Sequence, residues 1–212
     1  MATRAEKKAR TRNALMDSVL SIIGVGANFA SISLREVAKT AGVVPTSFYR
    51  HFGDMEELGL AMVDELGLNL RRQMRGSFDA EESSVEMIGH CIDAYVKYVL
   101  ENRNLFEFMN QSRTGGTPAL QSAIRNELRF VSSRIATELS LVVPKMKSAD
   151  REVVASLIVC VLLETTTEIL ALPEDSESLL EELTDNVKGQ MQVILAGANH
   201  WRTARKTTRA KK

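Results

Sequence analysis

One segment constrains this chain more than any other: Ser31 to Leu58, reading SISLREVAKTAGVVPTSFYRHFGDMEEL. It encodes two short helices separated by a glycine turn, then the capped start of a third. Ser33 stands before Leu34 with Glu36 three places on, the spacing of a capping box. Leu34, Val37, Ala38 and Ala41 make one apolar helical face. Gly42 supplies the turn, and Pro45 suits the first turn of the next helix, where its missing N–H costs nothing. Asp54 with Glu57 repeats the capping pattern and opens a helix whose apolar residues run through Leu58, Met62, Leu66 and Leu70. Two short helices held at a fixed angle can set the second one into the major groove of DNA.

The second short helix is expected to run from Pro45 to Phe52. Phe48 and Phe52 share a face, and with Leu15, Leu34 and Val37 they can build a small core that sets the interhelix angle. Thr46, Ser47, Tyr49 and Arg50 then point outward, with His51 at the rim. These are short or planar donors suited to phosphates and base edges. The helix start at Ser33, followed by Arg35, offers free N–H groups to a phosphate oxygen. Arg10 and Arg12 can add charge to the same surface. The DNA-facing set is therefore Arg12, Ser33, Arg35, Pro45, Thr46, Ser47, Tyr49, Arg50 and His51. The alternative, that Tyr49 and His51 only cap a small apolar cluster, must explain why no acidic residue lies between Val37 and Gly53.

Net charge is zero over 212 residues, but the zero is a sum of unlike parts. Residues 1–52 hold eight Lys/Arg against three Asp/Glu, residues 53–200 hold 13 against 24, and residues 201–212 hold six against none. A basic head and tail on an acidic body suit a chain that offers only its ends to a polyanion. With 44% hydrophobic residues, four prolines and helical periodicity throughout, an all-α fold is expected. The charged N-terminus does not read as a secretory signal. The longest apolar run, Val153 to Leu163, is about half of the roughly 20 residues a membrane helix needs, so it reads as a buried helix and no membrane is expected. Cys91 and Cys160 lie inside apolar helical patterns without CxxC spacing and read as core residues of a reduced, cytoplasmic protein.

Residues 1–10 read as a frayed basic arm, with helix from about Thr11. Leu15, Val19, Ile22 and Ile23 form its inner face, and Gly24 and Gly26 end it. Beyond a polar connector at Gly76–Ser84, helices are expected over 85–101, 103–112, 119–141, 149–171 and 177–202. The domain boundaries expected are a helix-turn-helix unit at 1–55, a ligand-binding and dimerisation domain at 56–202, and a basic tail at 203–212.

The segments Leu34-Arg35-Glu36-Val37-Ala38, Ala41-Gly42-Val43 and Phe48-Tyr49-Arg50-His51-Phe52 together resemble the DNA-binding signature of the TetR family of bacterial repressors. More narrowly, Ser-Leu-Arg-Glu-Val-Ala, Pro-Thr-Ser-Phe-Tyr-Arg-His-Phe and Glu-Leu-Gly-Leu-Ala-Met-Val-Asp-Glu resemble its FabR and DesT branch. Arg113-Thr114-Gly115 is similar to an Arg-Ser-Gly element of that branch, and Trp201-Arg202 fits its aromatic-basic end. Met55 stands where many relatives carry a phosphate-holding lysine, and Gly116-Thr117-Pro118 departs slightly from the branch pattern.

The resemblance implies a bacterial, cytoplasmic homodimer, nucleoid-associated when bound to a palindromic operator, that represses genes of unsaturated fatty-acid synthesis or desaturation. It also implies an apolar small-molecule effector, a long-chain acyl-CoA or acyl-carrier thioester, and no cofactor. An effector of another kind, as in repressors of efflux or catabolic genes, is the alternative. The ligand-binding candidates are Tyr95, Val99, Phe106, Met109, Arg113 and Leu157. From spacing alone the aromatic and methionine positions read as ordinary core, and it is the branch resemblance that favours a cavity there. The dimerisation candidates are Val154, Val161, Glu164, Val187, Met191 and Ile194. Arg103, Arg125 and Arg129 are further candidates for carrier phosphates. No catalytic or metal-binding set is expected: the histidines show no ligand spacing, and no GxSxG elbow or Cys–His pairing marks a nucleophile.

Overall fold

The computed structural model describes residues 3–73, 84–173 and 175–200. Among these the fold is all-α. The elements are α1 (Arg4–Gly24), a 3₁₀ turn (Phe29–Ser31), α2 (Leu34–Thr40), α3 (Pro45–Phe48), α4 (Met55–Gln73), α5 (Ser84–Glu101), α6 (Arg103–Gly115), α7 (Pro118–Val142), α8 (Ser148–Ala171) and α9 (Glu177–His200). The connector at Gly76–Ser84 falls almost wholly outside the described residues, as do Trp201 and the basic tail.

Local chemistry sets the boundaries. The Ser33 hydroxyl accepts from the Glu36 N–H at 3.2 Å. Asp54 caps α4 by accepting from the Glu57 N–H at 2.8 Å, and the Glu57 carboxylate reaches back to the Gly53 N–H at 2.6 Å. Thr117 caps α7 ahead of Pro118. Gly26 and Gly42 carry positive φ (96° and 68°), so the two turns that shape the N-terminal unit require glycine.

Residues 3–10 depart from expectation. They are not a frayed arm: α1 begins at Arg4, because Thr3 and Glu6 form a full capping box, with Thr3 N–H to Glu6 at 2.7 Å and Glu6 N–H to Thr3 at 3.2 Å. The second short helix is also shorter than expected. It closes at Phe48, and the chain runs to Phe52 as turns, held by the Arg50 N–H to Ser47 O and His51 N–H to Phe48 O bonds.

Phe48 and Phe52 are fully buried with Leu15, Val19, Val37, Leu58 and Met62, which fixes α1 to α4 as one unit. The same core continues without a break into the body through Phe29, Phe108 and Leu120. The Phe29 ring meets Phe108 of α6 edge-on at 4.9 Å between centroids. Gln111 of α6 crosses the same seam, accepting from the Phe29 N–H at 3.0 Å and donating to Ala27 O at 3.4 Å. A second, smaller core gathers Leu139, Val143, Met146, Val154, Ala155 and Ala198 at the far end of α7 to α9.

Helix α8, read as a buried helix, is covered on only part of its circumference within the protomer. Among the described residues it is the one helix long and apolar enough to cross a membrane by length and composition. It packs on α7, α9, α5 and α6, yet only 33% of its most apolar window is buried. Val153, Leu157, Cys160 and Glu164 recur at i, i+4, i+7 and i+11 along its open face. Cys160 is therefore exposed and Cys91 half-buried, where core positions were expected for both. The α8 C-terminus, with no basic residue in its last turn, is capped from α6. The Arg103 guanidinium donates to the carbonyls of Ile169, Leu170 and Leu172 at 3.2, 2.5 and 3.1 Å. Arg103 is committed to this cap rather than free for a ligand phosphate.

Candidate functional site

The outward surface of α2 and α3 collects the residues expected to face DNA. Arg35, Pro45, Thr46, Tyr49 and Arg50 are exposed, and Ser47 is half-buried. Tyr49 is 63% exposed, its ring root packed edge-on against Phe48 at 5.9 Å. The core thus aims the phenol instead of leaving it to sample solvent. The Ser33 hydroxyl is spent on its cap. The Arg12 guanidinium lies 4.4 Å over the Phe52 ring, a cation–π contact that holds its charge at the rim of the same surface. His51 sits between these groups, half-buried, with Nδ1 buried and unpartnered. Burial and then the nearby Lys8, Arg12 and Arg50 charges hold its pKa below the usual histidine range. Lys8 was not among the expected site residues. Its lysine was legible, but its helical placement followed only from recognising the Thr3–Glu6 cap.

The body contains a cavity of about 240 Å³. Its wall is built from the end of α4 (Leu70), one stripe of α5 (Met87, Cys91, Tyr95, Tyr98), α7 (Ile135, Glu138, Leu139), α8 (Ile158, Leu162) and α9 (Met191, Leu195). The surface is nearly all apolar, and its few polar groups are distinctive. The Tyr95 hydroxyl donates to Leu162 O at 2.9 Å and also meets the Thr166 hydroxyl. Burial pushes its pKa up to about 12, so it stays un-ionised. Glu138 pairs with Arg134 one turn away on α7. The Tyr98 hydroxyl is buried without a hydrogen-bond partner, and burial, then Glu65, raises its pKa. Among the described residues no lysine or arginine lines the cavity.

Of the six ligand-binding candidates, Tyr95 lines this cavity and five do not. Phe106 stands behind the wall, edge-on to Tyr95 and Tyr98 at 6.5 and 5.6 Å. Val99 and Met109 are buried in the main core. Arg113 lies half-buried in the last turn of α6 with its Nε unpartnered. Leu157 is 50% exposed on the open face of α8. The dimerisation candidates divide similarly. Glu164 is exposed, and Val161 and Ile194 are half-buried. Val154, Val187 and Met191 are at most 4% exposed within the protomer. Those three have no surface left for a partner subunit, and Met191 faces the cavity. The open apolar positions are instead Val153, Leu157 and Cys160 of α8 and Leu179 and Val193 of α9, the last 72% exposed.

A helix-turn-helix surface carried by a helical body with an internal apolar cavity defines a DNA-binding regulator. Residues 27–62 match the family "Bacterial regulatory proteins, tetR family". Residues 85–192, half of the chain, match the "Tetracyclin repressor-like, C-terminal domain". The chain belongs to the TetR family of bacterial regulators and is a DNA-binding transcription regulator, not an enzyme.

Solved structures agree on the fold. A transcriptional regulator from Rhodococcus sp. Rha1 is similar at a TM-score of 0.68 and 19% identity, over 89% of this chain and 97% of that one. A TetR-family regulator from Pectobacterium atrosepticum gives 0.63 and 20% identity, over 93% and 97%. The fatty acid degradation regulator FadR from Bacillus halodurans gives 0.59 and 15%, over 87% and 94%. At these identities the likeness is one of fold.

Proposed function

We propose that this protein is a homodimeric, cytoplasmic repressor that binds a palindromic operator and is controlled by an apolar effector held in the α4–α9 cavity. Its targets would be genes of unsaturated fatty-acid synthesis or desaturation, and its effector a long-chain acyl thioester. The observation that carries the reading is the continuity of one packed core from the exposed Tyr49 surface to the cavity wall. Leu70 of the cavity lies on α4, the helix that starts in the DNA-facing unit, so an occupant that moves α4 moves the reading surface. Dimerisation through the open faces of α8 and α9 would place two such surfaces on one palindrome.

The lining says how a thioester would sit. The wall is nearly all apolar, with one carboxylate among the described residues, so it suits the acyl tail rather than the carrier phosphates. At roughly 30 Å³ per water-sized group the cavity holds about eight methylenes, so the tail end is enclosed and the thioester end stands near the mouth. The FabR and DesT resemblance of residues 33–65 supports the lipid reading. The cavity size favours a second reading, a compact uncharged apolar inducer whose oxygen accepts from the unpartnered Tyr98 hydroxyl.

The test is operator release. Binding of a palindromic fragment from a desaturation-gene promoter is followed by fluorescence anisotropy, with saturated and unsaturated long-chain acyl-CoA added separately. A shift that differs between the two, abolished by Ile158→Trp in the cavity wall while DNA affinity stays intact, is expected. Binding that neither thioester alters rejects the lipid reading and leaves the compact inducer.

A further inference from the structure

Helix α1 carries a basic face of which the DNA-facing set derived above contains only Arg12. Leu15, Val19 and Ile22 of this helix point into the core. At 100° per residue, Arg4, Lys8 and Arg12 lie on that same side, one turn apart. The core, however, stops at Phe52, over which Arg12 is stacked at 4.4 Å. With a rise of 1.5 Å per residue, Lys8 and Arg4 therefore project about 6 and about 12 Å past the last core contact, beside the α3 surface.

The helix holding them is not loose, since the Thr3–Glu6 capping box closes its first turn and occupies the first turn's one carboxylate. Among the described residues no carboxylate forms an ion pair with Arg4 or Lys8. Lys8 stands close enough to His51 to bear on its protonation. A row of cations at one-turn spacing, on a rigid helix, with no internal partner and adjacent to a groove-reading surface, is complementary to a sugar–phosphate backbone.

We propose that the first two turns of α1 form a phosphate-contacting rail, in which Arg4 and Lys8 engage the DNA backbone flanking the groove read by Tyr49 and Arg50. The rail positions the protein on duplex DNA and carries no sequence information itself. It rests on the α2–α3 surface being the DNA-facing one, and the experiment separates the two.

Binding of the full-length protein to a generic 30-base-pair duplex and to an operator duplex is measured by anisotropy between 50 and 200 mM KCl. Each lost phosphate contact lowers the slope of log K against log salt by about 0.9. Lys8→Ala is expected to lower it by about 1 per bound protomer on both duplexes, and Arg4→Ala/Lys8→Ala by about 2. Tyr49→Ala is expected to lose operator preference with the slope unchanged. Lys97→Ala, on the body beside Glu101, leaves both unchanged. A separate readout checks the placement without DNA: His51, followed by NMR titration, moves back toward the ordinary histidine pKa in Lys8→Ala. Unchanged slopes in both rail variants overturn the proposal, and so does an affinity loss without a slope change. Absence of salt-dependent duplex binding by the unmodified protein overturns the DNA-facing assignment and the rail together.

Discussion

Gln111 is the polar link between the N-terminal unit and the body, and replacing it by Met tests how much of their union rests on it. The side chain lies on α6. Its carbonyl oxygen accepts from the Phe29 N–H at 3.0 Å, and its amide donates to Glu107 at 3.0 Å and to Ala27 O at 3.4 Å. Phe29 is 7% exposed and the bond is part-buried, so water replaces the lost acceptor only in part. Met matches Gln closely in length and volume, so the apolar packing survives and the polar loss is isolated. Leaving a buried backbone donor unsatisfied costs about 1–3 kcal/mol. The 3.4 Å contact is too long to add much. A loss of about 2 kcal/mol is therefore expected, which for a chain of this size lowers Tm by about 4–8 °C. Urea unfolding should show a lower midpoint with an unchanged m-value, since the surface exposed on unfolding is the same. Hydrogen exchange at the Phe29 amide should accelerate. A stability change below about 0.5 kcal/mol, with Phe29 protection unaltered, would refute the assignment of Gln111 as a tie.

Two shorter predictions follow from α4 and α8. Gly67→Ala places a Cβ 2.1 Å from the Glu127 carboxylate, which pairs with Arg71 at 2.6 Å. The helix-propensity gain of about 1 kcal/mol should be cancelled by loss of this part-exposed pair, itself about 0.5–1 kcal/mol. In a Glu127→Ala background, where the pair is already absent, adding Gly67→Ala should show the full gain, read by urea unfolding, and a full gain in the single variant contradicts the clash. Leu157→Glu puts a charge at the centre of the open α8 face. Size-exclusion chromatography with light scattering is expected to report a dimer for the unmodified protein and a monomer for the variant, and a persistent dimer would move the interface elsewhere.

Much of the fold was legible from residues alone. The expected helices from 85 onward lie within about three residues of those observed. Their ends carry explicit signals, such as Thr117-Pro118 before α7 and Gly115-Gly116 after α6. The α2–α3 surface was legible because two phenylalanines four apart leave only one outward side for their neighbours. The first turn of α1 was missed although Thr3 and Glu6 stand at capping-box spacing, because the basic composition around them suggested disorder. The cavity was only half legible. Periodicity shows that Met87, Cys91, Tyr95 and Tyr98 form one stripe, but a void depends on how far apart five helices settle. Spacing within one helix does not encode that, and Phe106 and Met109 fell behind the wall instead of on it. Three of the six α8 and α9 candidates proved buried for a related reason. When apolar residues surround most of a helix, sequence does not say which side its own chain covers, and Val154, Val187 and Met191 proved to be on that side.

Helix α6 holds the end of α8 through Arg103 and the Phe29 turn through Gln111, eight residues apart. That separation is about 12 Å along a helix axis. A hydrogen-bonded helix of this length does not stretch, so the gap between its two anchor points is constant while its inclination is not. A movement at the end of α8 would thus reach the N-terminal unit as a swing about a rod of constant length. A turn of one unit against the other would leave this gap unchanged, and the angle of α6 is the coordinate along which it would be measured.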